Sequence, residues 1–162
     1  MTREEWLVER TFTGADIDPD ALAARRAATG TTISVVLPAL NVADTVGAIV
    51  EAIRTRWMGP GGLVDELVVI DSASADGTAR IATEAGALVV QDHSVLADQG
   101  THRGKGEAMW KSLAATRGDI IAWIDGDIED FDDAFVPGLV APLLRDETIG
   151  YVKAFYRRPL GY

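Results

Sequence analysis

The sequence predicts an α/β fold, a mainly parallel β-sheet with helices on both faces. Three observations carry the prediction. Strand-like and helix-like apolar patterns alternate from residue 32 onward, giving β-α-β-α-β. The strand segments are short β-branched runs without regular polar alternation, as burial on both faces requires. Polar loops follow them, at the carboxyl ends where such sheets bind ligands.

The elements follow in order. Residues 1 to 30 form an N-terminal extension, with Asp18 as cap, Pro19 at a first helical position and Gly30 as stop for a short helix. Residues 31–162 form the main domain. Its first strand, Thr32–Leu37, ends at Pro38, and Asp44 is a candidate cap for a helix whose Val46, Ile49, Val50 and Ile53 fall on one face. Gly59-Pro-Gly-Gly62 closes that unit. A second strand, Glu66–Ile70, leads into the loop Asp71-Ser-Ala-Ser-Ala-Asp-Gly77 and a helix through Ala85. Ala87–Val90 is a third strand, a helix spans about Lys105 to Thr116, and the last strand ends at Asp125. Trp110 and Trp123 sit in apolar patterns and are expected in the core.

Composition narrows the function classes. With 162 residues, 48% hydrophobic and 25% charged, the chain fits one globular domain with a sizeable core. A net charge of −10 argues against general nucleic-acid binding, because no broad basic face is available. The absence of cysteine excludes disulfides, thiolate metal sites and cysteine nucleophiles. No apolar run approaches the roughly 18 residues of a membrane span, and the polar start Met1-Thr-Arg-Glu-Glu lacks a signal-peptide core. A cytoplasmic chain is expected.

The chemistry concentrates in four loops. Asp125-Gly-Asp127 closes the last apolar strand pattern. On an extended segment, side chains two apart point the same way, so both carboxylates can face one ligand. Hard oxygen donors suit Mg²⁺ or Mn²⁺, which are commonly held by one or two carboxylates plus substrate phosphates. Gly126 lets the backbone approach closely. A plain Asp-Gly turn is the alternative. Pro38-Ala-Leu-Asn41 and Asp71-Ser-Ala-Ser74 fall at other strand ends. Asp71 can accept hydrogen bonds from a base or ribose or form an Asx turn, and Ser72 and Ser74 can meet a ligand or cap the next helix. Arg103-Gly-Lys-Gly-Glu107 places Lys105 and backbone N–H groups at a helix start, where an anion is favoured, although a solvated lysine would read the same.

Together these residues resemble the glycosyltransferase A (GT-A) fold, a Rossmann-like nucleotide-sugar-binding fold with an Asp-x-Asp metal site. Ile33–Asn41, Val64–Ser72, Gly104–Thr116, Phe135–Leu144 and Val152–Leu160 are similar to the glucosyl-3-phosphoglycerate synthases of actinobacteria. The resemblance implies transfer of glucose from UDP-glucose to 3-phosphoglycerate with retention of configuration, using Mg²⁺. It implies that Pro38, Ala39 and Leu40 contact the uridine, with Ser72 on the uracil side. Lys105 would be a basic donor-site residue, Asp125 a nucleotide contact and Asp127 a metal ligand. Lys105 and Asp127 would act in catalysis by stabilising the departing diphosphate.

Two departures stand out. Where the family reads Asn-Glu after Pro-Ala-Leu, this chain reads Asn41-Val42, so a carboxylate is missing. The family is also about twice as long, and its later part supplies a metal-binding histidine and a basic acceptor site. His93 and His102 lie upstream of Asp125 and read as surface-loop residues. The acidic run Glu129, Asp130, Asp132 and Asp133 reads as a solvated loop or helix cap, and Arg157 and Arg158 are candidates for an acceptor phosphate. The expectation is therefore a donor-binding half with impaired activity. The alternatives are a non-catalytic nucleotide-sugar-binding remnant or an assembly partner, in which apolar surface from Phe135 to Tyr162 is exposed and favours a homodimer.

Overall fold

A computed structural model describes residues 2–14 and 17–155. The core is a four-stranded sheet of β1 (Ile33–Ala39), β2 (Glu66–Asp71), β3 (Leu88–Gln91) and β4 (Ile120–Trp123), in the order β3-β2-β1-β4. All three pairings are parallel. The described α-helices are α1 (Arg3–Glu9), α2 (Pro19–Thr29), α3 (Ala43–Trp57), α4 (Thr78–Ala85), α5 (Lys105–Ala115) and α6 (Phe135–Arg145). None is long and apolar enough to cross a membrane.

Alternation along β1 divides the core into two layers. Ile33, Val35 and Leu37 face a large cluster that includes the predicted α3 stripe of Val46, Ile49, Val50 and Ile53. Leu22 of α2 and Val136 and Val140 of α6 complete it. Val36, with Val68 and Ile70 of β2, faces the opposite side and meets Ala108 of α5. Helices therefore cover both faces, which is why β1 and β2 are buried almost without a polar break.

The N-terminal helix forms as its signals indicate. Asp18 accepts from the N–H groups of Asp20 and Ala21, Pro19 opens the helix and Gly30 ends it at φ 68°. Several boundaries differ from the expectation. Pro38 does not end β1, which continues to Ala39. The Ile124 N–H donates to the Val36 carbonyl and the Ser72 N–H to the Ala39 carbonyl, so Val36 and Pro38 face β4 while Leu37 and Ala39 face β2. Because the β4 ladder ends opposite Val36, the missing N–H of Pro38 breaks no pairing. β4 stops at Trp123, two residues before Asp125, and Gly126-Asp127 is a turn. Asp44 lies inside the first turn of α3, whose cap position is Val42. Trp110 is 43% exposed rather than buried, whereas Trp123 packs on the second layer and its indole N–H donates to Ser112 Oγ at 2.9 Å.

The segment from Phe135 is also less exposed than expected. In α6, Val136, Val140, Ala141 and Leu144 are buried, and the helix end is tied to α2 by Arg25, which donates to the Leu144 and Arg145 carbonyls. Tyr151 and Phe155 are exposed. Residues 156–162, including Arg157 and Arg158, lie outside the described residues.

Candidate functional site

The sheet order sets the location of the site. From β1 the chain builds outward through β2 to β3 and then crosses to the other side of β1 for β4, placing a topological switch point between β1 and β4. At such a point the connections leave in opposite directions and open a crevice beyond the carboxyl ends. Pro38–Asn41 lies at the carboxyl end of β1 and Asp125–Asp127 just beyond that of β4, and Asp71–Ser74 follows the adjacent strand end.

The loops after β1 and β2 are laced together by side chains. Asn41, at φ 53°, donates its N–H to Ser74 Oγ at 2.9 Å, and its Oδ1 accepts the Ala75 N–H at 2.9 Å. Ser74 thus joins two loops rather than capping α4, whose N-terminal cap position is Gly77 without a side-chain bond. Asp76 accepts from the Ala43 N–H at 3.0 Å and from the Thr78 hydroxyl at 2.6 Å, while Thr78 Oγ1 accepts the Val42 N–H at 2.9 Å. These bonds satisfy N–H groups at the start of α3 that the helix itself leaves unpaired. Ala73 is held at φ 60°, a left-handed conformation unfavourable for a residue with a Cβ.

The Thr78 hydroxyl, ahead of the Ala43 N–H, holds the Asp76 carboxylate below its ordinary value of 3.8. Since the folded value is the lower one, this stabilisation is complete above pH 3.8 and is lost as pH falls through the folded value. Urea unfolding across acid pH should accordingly show a shallower stability loss below about pH 4 for Asp76→Asn than for the parent.

Asp71 is 1% exposed. Its Oδ2 accepts from the Ser74 N–H at 3.2 Å and from Gln91 Nε2 at 2.8 Å. The Ser74 bond is the turn contact that the local sequence allows. The other oxygen, Oδ1, is buried without a hydrogen-bond partner. Nearby, Pro38 and Ala39 are buried, Leu40 is 58% exposed, and Ser72 is half-buried with its N–H on the Ala39 carbonyl at 2.9 Å.

Beyond the end of β4, the Asp-Gly-Asp turn is pinned against β1 and α3. Thr45 Oγ1 donates to the Gly126 carbonyl at 2.6 Å. A Cβ on Gly126 would stand 3.3 Å from the Pro38 carbonyl oxygen and 3.4 Å from Val42 Cγ2, so glycine permits the close approach. The half-buried Asp125 pairs with the ammonium of Lys105, whose helix begins on the far side of the sheet from α3. Asp127 is exposed. His93 and His102 are exposed, as expected. No cluster of three or more potential metal-ligating His, Cys, Asp or Glu residues occurs among the described residues. The sequence reading missed Thr45, Gln91 and Asp76 as supports of the site; their polar character gave no spatial signal.

Residues 34–161 match glycosyl transferase family 2. The chain belongs to glycosyl transferase family 2. Among relatives of this family 2 chain, a glucosyl-3-phosphoglycerate synthase of Mycolicibacterium smegmatis is 48% identical over 96% of the chain and 50% of that protein. A Petrotoga mobilis protein of the same name is 48% identical over 79% of the chain and 39% of its own length. The crystal structure of mannosyl-3-phosphoglycerate synthase from Rubrobacter xylanophilus superposes with a TM-score of 0.89 at 38% identity, covering 97% of this chain and 50% of that one. That of glucosyl-3-phosphoglycerate synthase from Mycobacterium tuberculosis, in complex with Mn²⁺, UDP and glucosyl-3-phosphoglycerate, gives 0.82 at 46% identity over 91% and 51%. The GT-A fold is thereby established, and this family 2 chain spans about half the length of the relatives it matches.

Proposed function

We propose that this chain is the UDP-glucose-binding half of a glucosyl-3-phosphoglycerate synthase, a retaining transferase that moves glucose from UDP-glucose to 3-phosphoglycerate. The observation that carries the proposal is the buried Oδ1 of Asp71, an acceptor without a partner at the carboxyl end of β2, beside β1. Burying such a group without a bond costs about 1–3 kcal/mol, and a base or ribose donor would satisfy it. The bound UDP and Mn²⁺ of the Mycobacterium tuberculosis relative support the same reading.

The residues present fit a divalent cation. Asp125 and Asp127, on either side of the Gly126 turn, supply hard oxygen donors, and no group of three or more potential protein ligands occurs among the described residues. That composition suits Mg²⁺ or Mn²⁺ completed by diphosphate oxygens. When bound, the cation supplies positive charge that holds the diphosphate and favours its departure. In this proposal Pro38, Ala39 and Leu40 line the uridine, Ser72 offers a hydroxyl to the uracil, and Gly126 keeps the turn low enough for the ligand to approach. Lys105 donates to the diphosphate, and its pairing with Asp125 places the ammonium at the crevice before the donor arrives. A reducing, cytoplasmic setting belongs to the proposal and is compatible with the cysteine-free sequence.

Val42 distinguishes this site from the family pattern. Its methyl group packs near Gly126 where a carboxylate is expected, and the lost acceptor weakens the donor by about 5- to 150-fold if water does not replace it. Impaired transfer follows. Titration of UDP-glucose into two variants tests the assignment: Asp127→Ala should abolish the metal dependence, and Lys105→Ala should weaken binding about tenfold with or without metal. Unaltered binding in both variants would remove these residues from the site. A second reading, a non-catalytic assembly partner, is favoured by Tyr151 and Phe155, which are 74% and 72% exposed. Sedimentation showing a homodimer without nucleotide binding would select it.

A further inference from the structure

Lys111 is a buried charge for which the proposed donor chemistry gives no role. It sits on α5 six residues after Lys105, and its side chain is 0% exposed, although lysines are almost never fully buried unless paired. Helical side chains lean toward the helix N-terminus, and this ammonium reaches back to the segment before α5. It donates to the Gly100 carbonyl at 3.0 Å and to Thr101 Oγ1 at 3.2 Å, and it faces Glu107 Oε1 at 3.3 Å. Three donors thus meet three acceptors. Glu107 is 9% exposed and accepts the His102 N–H at 3.2 Å. That N–H, followed by Lys111, holds its carboxylate below the ordinary range.

The pair therefore folds Gly100, Thr101 and His102 onto the first turns of α5, three to five residues before Lys105, whose side chain is half exposed. Other restraints at this helix start are weak. Gly104 enters at φ 123° and provides no side-chain cap. A Cβ on Gly104 or Gly106 would meet nothing within 4 Å. Stability alone does not explain a buried ion pair here, because apolar residues of similar volume commonly do as well or better.

We infer that Lys111 and Glu107 are positioning residues that latch the 100–104 segment and so fix Lys105 against Asp125 in the donor site. The inference rests on the proposed donor-binding function. The pair touches no donor atom in this account and acts through the helix start.

A double-mutant cycle read by UDP-glucose titration in Mn²⁺ tests it. Lys111→Met retains the apolar stem and removes the ammonium; Glu107→Gln retains shape and removes the charge. Each is measured with Lys105 present and with Lys105→Ala. Lys111→Met should weaken binding about tenfold when Lys105 is present and less than about twofold when it is alanine, with Glu107→Gln following in the same direction. Equal weakening in both backgrounds, or none, would overturn the latch. Should Lys111→Met fail to fold, the Glu107→Gln cycle decides by the same criterion. Failure of the unsubstituted chain to bind would overturn the donor-site reading itself, and the latch with it.

Discussion

Asp71→Asn is expected to make the chain a weaker binder of UDP-glucose with little change in its stability. In the free protein, Oδ2 of Asp71 holds the Ser74 N–H and Gln91 Nε2, while Oδ1 is buried without a partner. An asparagine oxygen can take the Oδ2 position and keep both bonds, while its NH₂ would be as unpartnered at the Oδ1 position as the oxygen it replaces. Stability should change by less than about 1 kcal/mol. The amide NH₂ would then occupy the Oδ1 position and present a donor where the proposed ligand needs an acceptor. Donor affinity should fall about 5- to 150-fold. Thermal unfolding and calorimetric titration of one preparation measure both effects. A variant that is less stable and binds equally well would show that Asp71 is a structural strand-end carboxylate.

Trp57→Ala should produce the largest loss of stability, about 3–5 kcal/mol. Trp57 ends α3 at 4% exposure in the main cluster, and its indole N–H donates to the Asp133 carbonyl at 2.8 Å. Arg56 lies over the ring at 4.5 Å from its centroid, and the Trp57 carbonyl accepts the Val64 N–H at 2.8 Å. The side chain therefore fills core volume and anchors the acidic segment after Asp127. For a chain of this length the alanine variant should unfold roughly 10 °C lower. Trp57→Phe keeps most of the apolar volume and should lose about 1 kcal/mol, mainly from the hydrogen bond. Equal melting temperatures for all three proteins would contradict this packing.

Local signals in the sequence were dependable where local chemistry decides the outcome. Asp18, Pro19 and Gly30 bound α2 as their capping preferences require, and the apolar spacing of Val46, Ile49, Val50 and Ile53 marks the buried face of α3. Pro38 misled because its effect depends on which neighbour its missing N–H faces, a property of strand register. α6 gave no helix signal, since Pro137, Gly138 and Pro142 fall within it; its burial against the sheet and α2 overrides poor propensity. Trp110 was expected inside because it lies in an apolar stretch, yet the layer beneath α5 receives Ala108 instead.

The candidate site was legible as residue types at strand ends. Its constraints were not. The Asn41–Ser74 bridge and the approach of Gly126 to Pro38 link residues distant in sequence, and the burial that leaves the Asp71 oxygen unpartnered is a property of the folded surroundings. Lys111 was hidden for the opposite reason, because a lysine in a helix normally indicates the solvent face.

The central claim is metal-assisted donor binding at the β1–β4 switch point, and titration of UDP-glucose into the unsubstituted chain by calorimetry, with Mn²⁺ and with chelator, tests it most directly. Saturable binding in Mn²⁺, weakened at least about tenfold by chelation, is the predicted result. An absence of heat at millimolar UDP-glucose in the presence of Mn²⁺ would contradict it.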